Sequence, residues 1–295
     1  MAKPRELRRR IKSVESTRQI TKTMEMVATS RLKRAHDRVV AARPFAGALT
    51  EVLRDLYEPA LAERFPLLRQ PERQGLVALV FITSNRGLCG GFNANLIGRT
   101  GERIAELEGR GTDVELHGIG RKGNGFFRYV GRTLAAARDD IGDRPTVEHA
   151  VEFIVPLMER FASGELDGVD VVFAKYNNPL STPPTLLSIL PIAAPAAEGQ
   201  GGQAAGRTVP NYLLKPSAAS LLRTILPMYV ENQMYRALVE TAASEHGARR
   251  TAMKSATDNA GDMIDFLRRT YNRARQAQIT QELAEIVGGA EALRG

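Results

Sequence analysis

The sequence predicts an α/β fold combined with a long antiparallel coiled coil: N- and C-terminal helices that pair, with a Rossmann-like, mostly parallel α/β domain inserted between them. Three observations predict it. No proline or glycine lies between Pro4 and Pro44. From Met228 to Val287 there is no proline, and Gly247 and Gly261 are the only glycines. Between these stretches, short apolar runs alternate with amphipathic segments, as in sheets whose parallel strands are joined by helices. The expected division is a helix over 1–58, a linker over 59–74, an α/β domain over 75–192, a flexible linker over 193–210 and a second helix over 211–295.

In the first segment, apolar residues recur at Leu7, Ile11, Val14, Ile20, Met24, Val27, Leu32, Ala35, Val39 and Ala42. Steps of three and four mark one narrow stripe on a helix. About 40 residues at 1.5 Å each would span ~60 Å. Pro44 is expected to kink this helix rather than end it, because Leu49, Val52, Leu53 and Leu56 continue the pattern. Pro59, Pro66 and Pro71 then mark a linker.

The middle begins with GLVALVFIT (75–83), read as a buried strand, and Phe92 to Leu107, read as a helix. DVELHGIG (113–120) is a second strand and Val147 to Phe161 a second helix. DGVDVVFAKY (167–176) and TLLSILPI (185–192) read as further strands, before the low-complexity AAPAAEGQGGQAAGR (193–207). The last segment has a stripe of Leu221, Ile225, Met228, Tyr235, Leu238, Ala242, Ala252, Ala256, Ala260, Met263, Leu267, Ala274, Ala277 and Ile286. Its many alanines let two helices approach closely, with less apolar area per turn than leucines would give. Beyond Tyr271 polar residues reach nearly every face. That suits either an exposed helix end or a rod lodged in a cavity.

Composition narrows the function. With 295 residues, 43% hydrophobic and 25% charged, the chain is globular in composition and not collagen-like. Its single cysteine, Cys89, forbids an internal disulfide or a multi-cysteine zinc site and reads as a small buried residue beside a turn. The longest apolar run, Leu76 to Ile82, is far short of the ~20 residues that cross a bilayer. The opening MAKPRELRRR lacks the apolar stretch of a secretory signal. The net charge of +8 is uneven: residues 1–43 hold 13 Lys/Arg against 4 Asp/Glu (+9), whereas residues 211–295 hold 11 against 9 (+2).

Catalytic constellations are absent from the sequence. His36, His117, His149 and His246 are scattered, and no nucleophile elbow or zinc-protease spacing occurs. Gly118-Ile119-Gly120-Arg121-Lys122-Gly123 matches a dinucleotide fingerprint after a strand, with Asp139 about 20 residues on. The fingerprint normally follows the first strand of its unit, so a tight structural turn is the expected reading. Arg8, Arg9, Arg10, Arg31, Lys33 and Arg34 would attract the phosphates of a nucleic acid. Against that, no aromatic residue lies before Phe45 to stack on a base. A nucleic-acid-binding basic coiled coil and a free-standing nucleotide-binding enzyme remain the alternatives.

The segments TDNAGDMID and YNRARQAQITQELAEIVGGAEAL resemble the C-terminal helix of the gamma subunit of F-type ATP synthases. RRRIKSVESTRQITKTMEMVATSRLKRA resembles that family's N-terminal helix, and TSNRGLCGGFN its central-domain turn. The resemblance covers effectively the whole chain. It implies a central rotor shaft that couples ion flow, of protons or sodium, through a membrane ring of c subunits to ATP synthesis from ADP and phosphate, or to the reverse hydrolysis. The implied partners are three alpha and three beta subunits, an epsilon subunit and the ring, with no nucleic acid. No cofactor, metal or catalytic residue of its own is implied, and the chain would regulate the complex's ATPase. The implied location is peripheral, on the cytoplasmic side of the bacterial inner membrane.

Carried over by position, beta-subunit catch contacts fall on Arg275, Gln276, Thr280 and Glu282, and coupling positions on Met24 and Arg249, with Glu282 shared. Ile286, Val287 and Leu293 would form an apolar bearing tip, and Tyr212, Leu213, Leu214 and Lys215 the foot on the ring. Departures from the family pattern are Asn85, where many relatives have Asp, and Lys215, where some carry an acidic residue. The cysteine-bearing insert of the plant plastid form is also absent, so thiol regulation of that kind is not expected.

Overall fold

The computed structural model describes residues 4–56, 64–71, 75–192 and 218–292. Its elements are α1 (Pro4–Leu56), a 3-10 turn (Pro66–Leu68), β1 (Leu76–Ile82), α2 (Phe92–Glu108), β2 (Asp113–Ile119), α3 (Arg121–Tyr129), β3 (Leu134–Arg138), α4 (Val147–Ala162), β4 (Gly168–Ala174), β5 (Pro184–Leu190) and α5 (Ala218–Ala292). Pro44 and Pro227 lie inside α1 and α5, and neither ends its helix. The chain divides into two compact units. One joins the residues up to Thr29 with those from Arg249 onward, and the other is Ser30–Ala248.

The larger unit is built on a five-stranded sheet of order β3-β2-β1-β4-β5. β1 pairs in parallel with β2 and β4, β2 pairs in parallel with β3, and β5 joins β4 antiparallel. Alternate residues of β1 serve opposite faces, as the pleat requires. Ala78, Val80 and Ile82 pack with Val169 and Val171 of β4, with Phe153, Ile154 and Leu157 of α4, and with Leu222, Leu226 and Val230 of α5. Leu79 and Phe81 instead face Phe92, Leu96 and Ile104 of α2 and Phe127 of α3. A strand covered on both faces reads as an unbroken apolar run, which is why β1 and β4 are conspicuous in the sequence.

Two elements have no clear sequence signature. β3 is LAAAR, poor in strand formers, and only pairing with β2 makes it a strand. α3, RKGNGFFRY, contains two glycines, poor helix formers. Close packing explains one of them. A Cβ on Gly123 would come within 2.7 Å of the Phe81 ring and 2.8 Å of the Thr83 hydroxyl. α4, by contrast, is announced by its start: Thr146 accepts a hydrogen bond from the His149 amide, and His149 Nδ1 accepts one from the Thr146 amide.

α1 and α5 pair in both units. In the larger one, Leu32, Ala35 and Val39 of α1 meet Val239 and Ala243 of α5. In the smaller one the helices run antiparallel, with Glu15 paired to Arg268 at 2.8 Å and Thr21 opposite Thr257. Its buried positions on α1 are Leu7, Thr21 and Ala28, with Val14 half-buried between them, a seven-residue step. Met253, Thr257, Ala260 and Ile264 answer from α5. Here the structure corrects the sequence reading: Ile20, Val27 and Met263 are about half exposed, and Thr21, Ala28 and Ile264 lie in the seam. The Thr21 and Thr257 hydroxyls are 2.8 Å apart, each also within reach of a carbonyl on its own helix, Arg18 and Met253 respectively. A polar pair can therefore be buried at no hydrogen-bonding loss.

One ion cluster gives the larger unit a pH response. Arg160 of α4 grips Glu115 of β2 through two bonds, at 2.7 and 2.8 Å, and His117 Nε2 stands 2.7 Å from the same carboxylate. The Arg160 bonds hold the Glu115 carboxyl below its ordinary range. Burial pushes His117 below the usual 6.5, outweighing the pull of Glu115. Both depressed groups bind protons more readily unfolded than folded, so acidification favours unfolding. Melting temperature is expected to fall as pH drops below about 6.5, where unfolded His117 charges, and again below the ordinary Glu value near 4.5. Thermal melts of a His117→Gln variant should lose the first of these two falls and keep the second.

Candidate functional site

In open α/β sheets, ligands bind beyond the carboxyl ends of the strands, where neighbouring connections diverge. In this fold that place lies past β1 and β4, and side chains of α5 and of the turn after β1 bond the backbone there. Beyond β4, the Ala174 amide donates to Thr241 Oγ1 at 3.2 Å, and Ser244 Oγ donates to the Ala174 carbonyl at 3.1 Å. The Tyr176 amide donates to Glu240 Oε2 at 3.1 Å, while Arg236 Nε binds Glu240 Oε1 at 2.8 Å. Glu240 is only 2% exposed, and each of its carboxylate oxygens has a hydrogen-bond partner. Thr241, Ser244 and Glu240 sit among apolar residues of α5 and carry no motif that would single them out in the sequence.

Beyond β1, the turn is closed by side chains. Ser84 and Asn93 are bonded to one another, and Asn93 Nδ2 lies 3.2 Å from the buried Cys89 sulfur. Asn85 Nδ2 donates to the Asp139 carbonyl at 2.8 Å, and its Oδ1 accepts the Arg121 amide at 2.9 Å. An aspartate at this position would keep the second bond and lose the first. The glycine motif is part of the same packing. A Cβ on Gly118 would fall 1.9 Å from Asn124 Oδ1, and Gly120, at φ +102°, lies against the Thr83 backbone. These glycines bring β2 and α3 against β1 and Thr83, leaving Gly118–Gly123 as a structural turn. Among the described residues no group of three or more His, Cys, Asp or Glu side chains is placed to hold a metal ion.

The remaining candidates lie on the helices. Arg275, Gln276, Thr280, Glu282, Ile286 and Val287 are all exposed, as is every residue from 275 to 290. At 3.6 residues per turn, Arg275 and Glu282 share one face and Gln276 and Thr280 another. Between those faces lie Ile279, Leu283 and Ile286, with Val287 between Gln276 and Thr280; these four apolar residues are each 47% to 68% exposed among the described residues. Ile279 and Leu283 were not among the expected contacts, although the four-residue step between them is legible. Met24 and Arg249 are half-buried in the smaller unit. Leu293 and the expected foot, Tyr212, Leu213, Leu214 and Lys215, lie outside the described residues.

The fold therefore defines a class of α/β proteins with paired terminal helices, the last of which exposes surface along residues 275–290. A family model described as ATP synthase matches residues 3–293. The chain is 58% identical to the ATP synthase gamma chain of Gemmatimonas aurantiaca, over all of both sequences. It is 41% identical to that of Leptospira biflexa, covering 99% of this chain and 100% of the relative. The chain belongs to the ATP synthase gamma chain family. In fold it is similar to a chain of the Euglena gracilis mitochondrial ATP synthase in rotational state 3 (TM-score 0.65, 19% identity, covering 98% of this chain and 94% of that one). A chain of the Tetrahymena thermophila central stalk and c-ring gives 0.59 at 23% identity, covering 80% and 99%. These findings lend no support to the nucleic-acid reading.

The polar clasp is expected to matter for stability. A Thr241→Val/Ser244→Ala double variant removes the two side-chain partners of Ala174, at a cost of about 1–3 kcal/mol. Urea unfolding of the full chain should show this as a lower midpoint with an unchanged slope.

Proposed function

We propose that this chain is the central rotor shaft of an F-type ATP synthase and couples ion flow through a membrane ring to ATP synthesis and hydrolysis on surrounding subunits. It is a non-catalytic gamma-family subunit, and the chemistry belongs to the beta subunits. The observation that carries the reading is the stretch from 275 to 290. It is helical, none of its side chains is buried, and it exposes an apolar stripe flanked by polar faces. Such a helix makes physical sense inside a sleeve supplied by other chains. Family membership and the relatives' full-length match support that sleeve being the alpha and beta subunits, three of each.

Coupling requires contacts that differ between the states of the surrounding subunits, because a ligand shifts an equilibrium only by its differential affinity. Arg275 and Glu282 on one face, and Gln276 and Thr280 on another, give the shaft unequal sides. Arg275 is suited to meeting acidic loop carboxylates through its planar donor fork. Ile286 and Val287, with Leu293, would form the apolar bearing tip, and Met24 and Arg249 would tune coupling from the helix pair. Tyr212 to Lys215 would stand on the ring of c subunits with epsilon alongside. No helix among the described residues is long and apolar enough to cross a membrane, so attachment would be peripheral. The cytoplasmic face of a bacterial inner membrane is the side in keeping with the bacterial relatives.

The test is reconstitution with purified alpha and beta subunits, where the chain should co-migrate as a complex and raise ATPase activity. Failure of both overturns the proposal. In membranes carrying the whole enzyme, Arg275→Ala/Gln276→Ala is expected to lower coupled synthesis several-fold. Its melting temperature should stay within about 2 °C of the parent, since both side chains are exposed. Equal loss of stability and synthesis would assign these residues to folding instead.

A further inference from the structure

The larger unit contains a cavity of about 280 Å³ lined by Arg31, Arg34 and Arg38 of α1, Asp143 and Arg144 ahead of α4, and His246 of α5. We infer that this cavity is a binding site for a small phosphate-class anion, of the size of inorganic phosphate or pyrophosphate. The inference is independent of the shaft reading and concerns residues none of whose roles that reading uses.

Charge carries the argument. Four guanidinium groups surround the cavity and one carboxylate answers them. Asp143 takes a hydrogen bond from Arg31 through its side chain and one from Arg38 through its carbonyl, at 3.4 Å. His246 Nε2 stands 3.7 Å from the same carboxylate, and this imidazole is only 2% exposed. Against the opposing effect of burial, backbone hydrogen bonding and then the Arg31 guanidinium hold the Asp143 carboxyl below its ordinary range. Arg34 reaches only the neutral Ser30 hydroxyl, at 3.3 Å, and among the described residues Arg144 has no carboxylate partner. Arg38 meets only the neutral Asp143 carbonyl, so three of the four arginines have no carboxylate partner among the described residues.

Geometry adds to charge. Arg31, Arg34 and Arg38 fall at steps of three and four, so α1 presents all three on one face. Like charges at these spacings repel and weaken the helix, a cost that a bound oxyanion reverses. Arginine's planar fork suits the tetrahedral oxygens of a phosphate better than a lysine's point charge would. The volume lies just under the range typical of pockets that enclose a drug-sized molecule, so a whole nucleotide would have to leave its base outside.

Binding of pyrophosphate, inorganic phosphate, ADP and adenosine to the purified full-length chain, followed by calorimetry and thermal shift, tests the site. Pyrophosphate is expected to bind saturably, to raise the melting temperature and to weaken as salt increases. ADP binding with adenosine inert would identify a nucleotide's phosphate end as the source, and free phosphate binding a mineral one. Arg34→Gln/Arg144→Gln, which removes two exposed side chains, should weaken pyrophosphate at least tenfold. Arg8→Gln/Arg9→Gln, an equal loss of charge elsewhere on α1, should leave it unchanged. Equal weakening by both double variants, or no saturable binding by the parent, overturns the inference. So does binding confined to a poly-glutamate peptide, which would make the cavity a dock for a partner's acidic segment.

Discussion

The residues of α5 between Val239 and His246 serve two neighbours at once, and the larger unit depends on that double duty. One side of this stretch gives Val239 and Ala243 to the pairing with α1. Another gives Glu240, Thr241 and Ser244 to the backbone beyond β4. A helix can do both only if its side chains alternate between small apolar and short polar types at the right angular steps. The same stretch lies beside the carboxyl end of β4, so the contact that orders the unit also occupies part of the region where α/β sheets commonly receive ligands.

In the smaller unit the seam is thin. Ala28, Ala260 and the Thr21–Thr257 pair contribute little apolar area compared with a leucine seam, but they let the helix backbones come close. Specificity of alignment comes instead from polar pairing. A register slip would leave two buried hydroxyls facing apolar neighbours, and would part Glu15 from Arg268. Stability per turn is modest; definition of the partner position is not.

Much of this was legible in the sequence, for identifiable reasons. β1, β2, β4 and β5 lie within a residue or two of the predicted runs; β1 and β4, buried along their length, read as nearly unbroken apolar runs, whereas β2 and β5 are partly exposed and mix in polar residues. α3 and β3 were not legible. Gly123 is kept for close approach to Phe81 and Thr83, at the expense of helix propensity, and Ala135 to Ala137 become a strand only through β2. The stripe on α1 was misread at Ile20 and Val27, since counting large apolar residues overlooks a seam built from threonine and alanine. Of the candidate surfaces, the polar run after Tyr271 could be read directly. The arginine-lined cavity could not, because Arg38, Asp143 and His246 are brought together from distant parts of the chain.

The bare helix after residue 274 also bears on the life of the chain before assembly. Ile279, Leu283, Ile286 and Val287 face water on a helix where no other described residue buries them. Isolated helical ends of this kind fray, and frayed apolar segments attract proteases and one another. Until another chain buries it, an uncovered stripe of this kind is a liability to the chain that carries it.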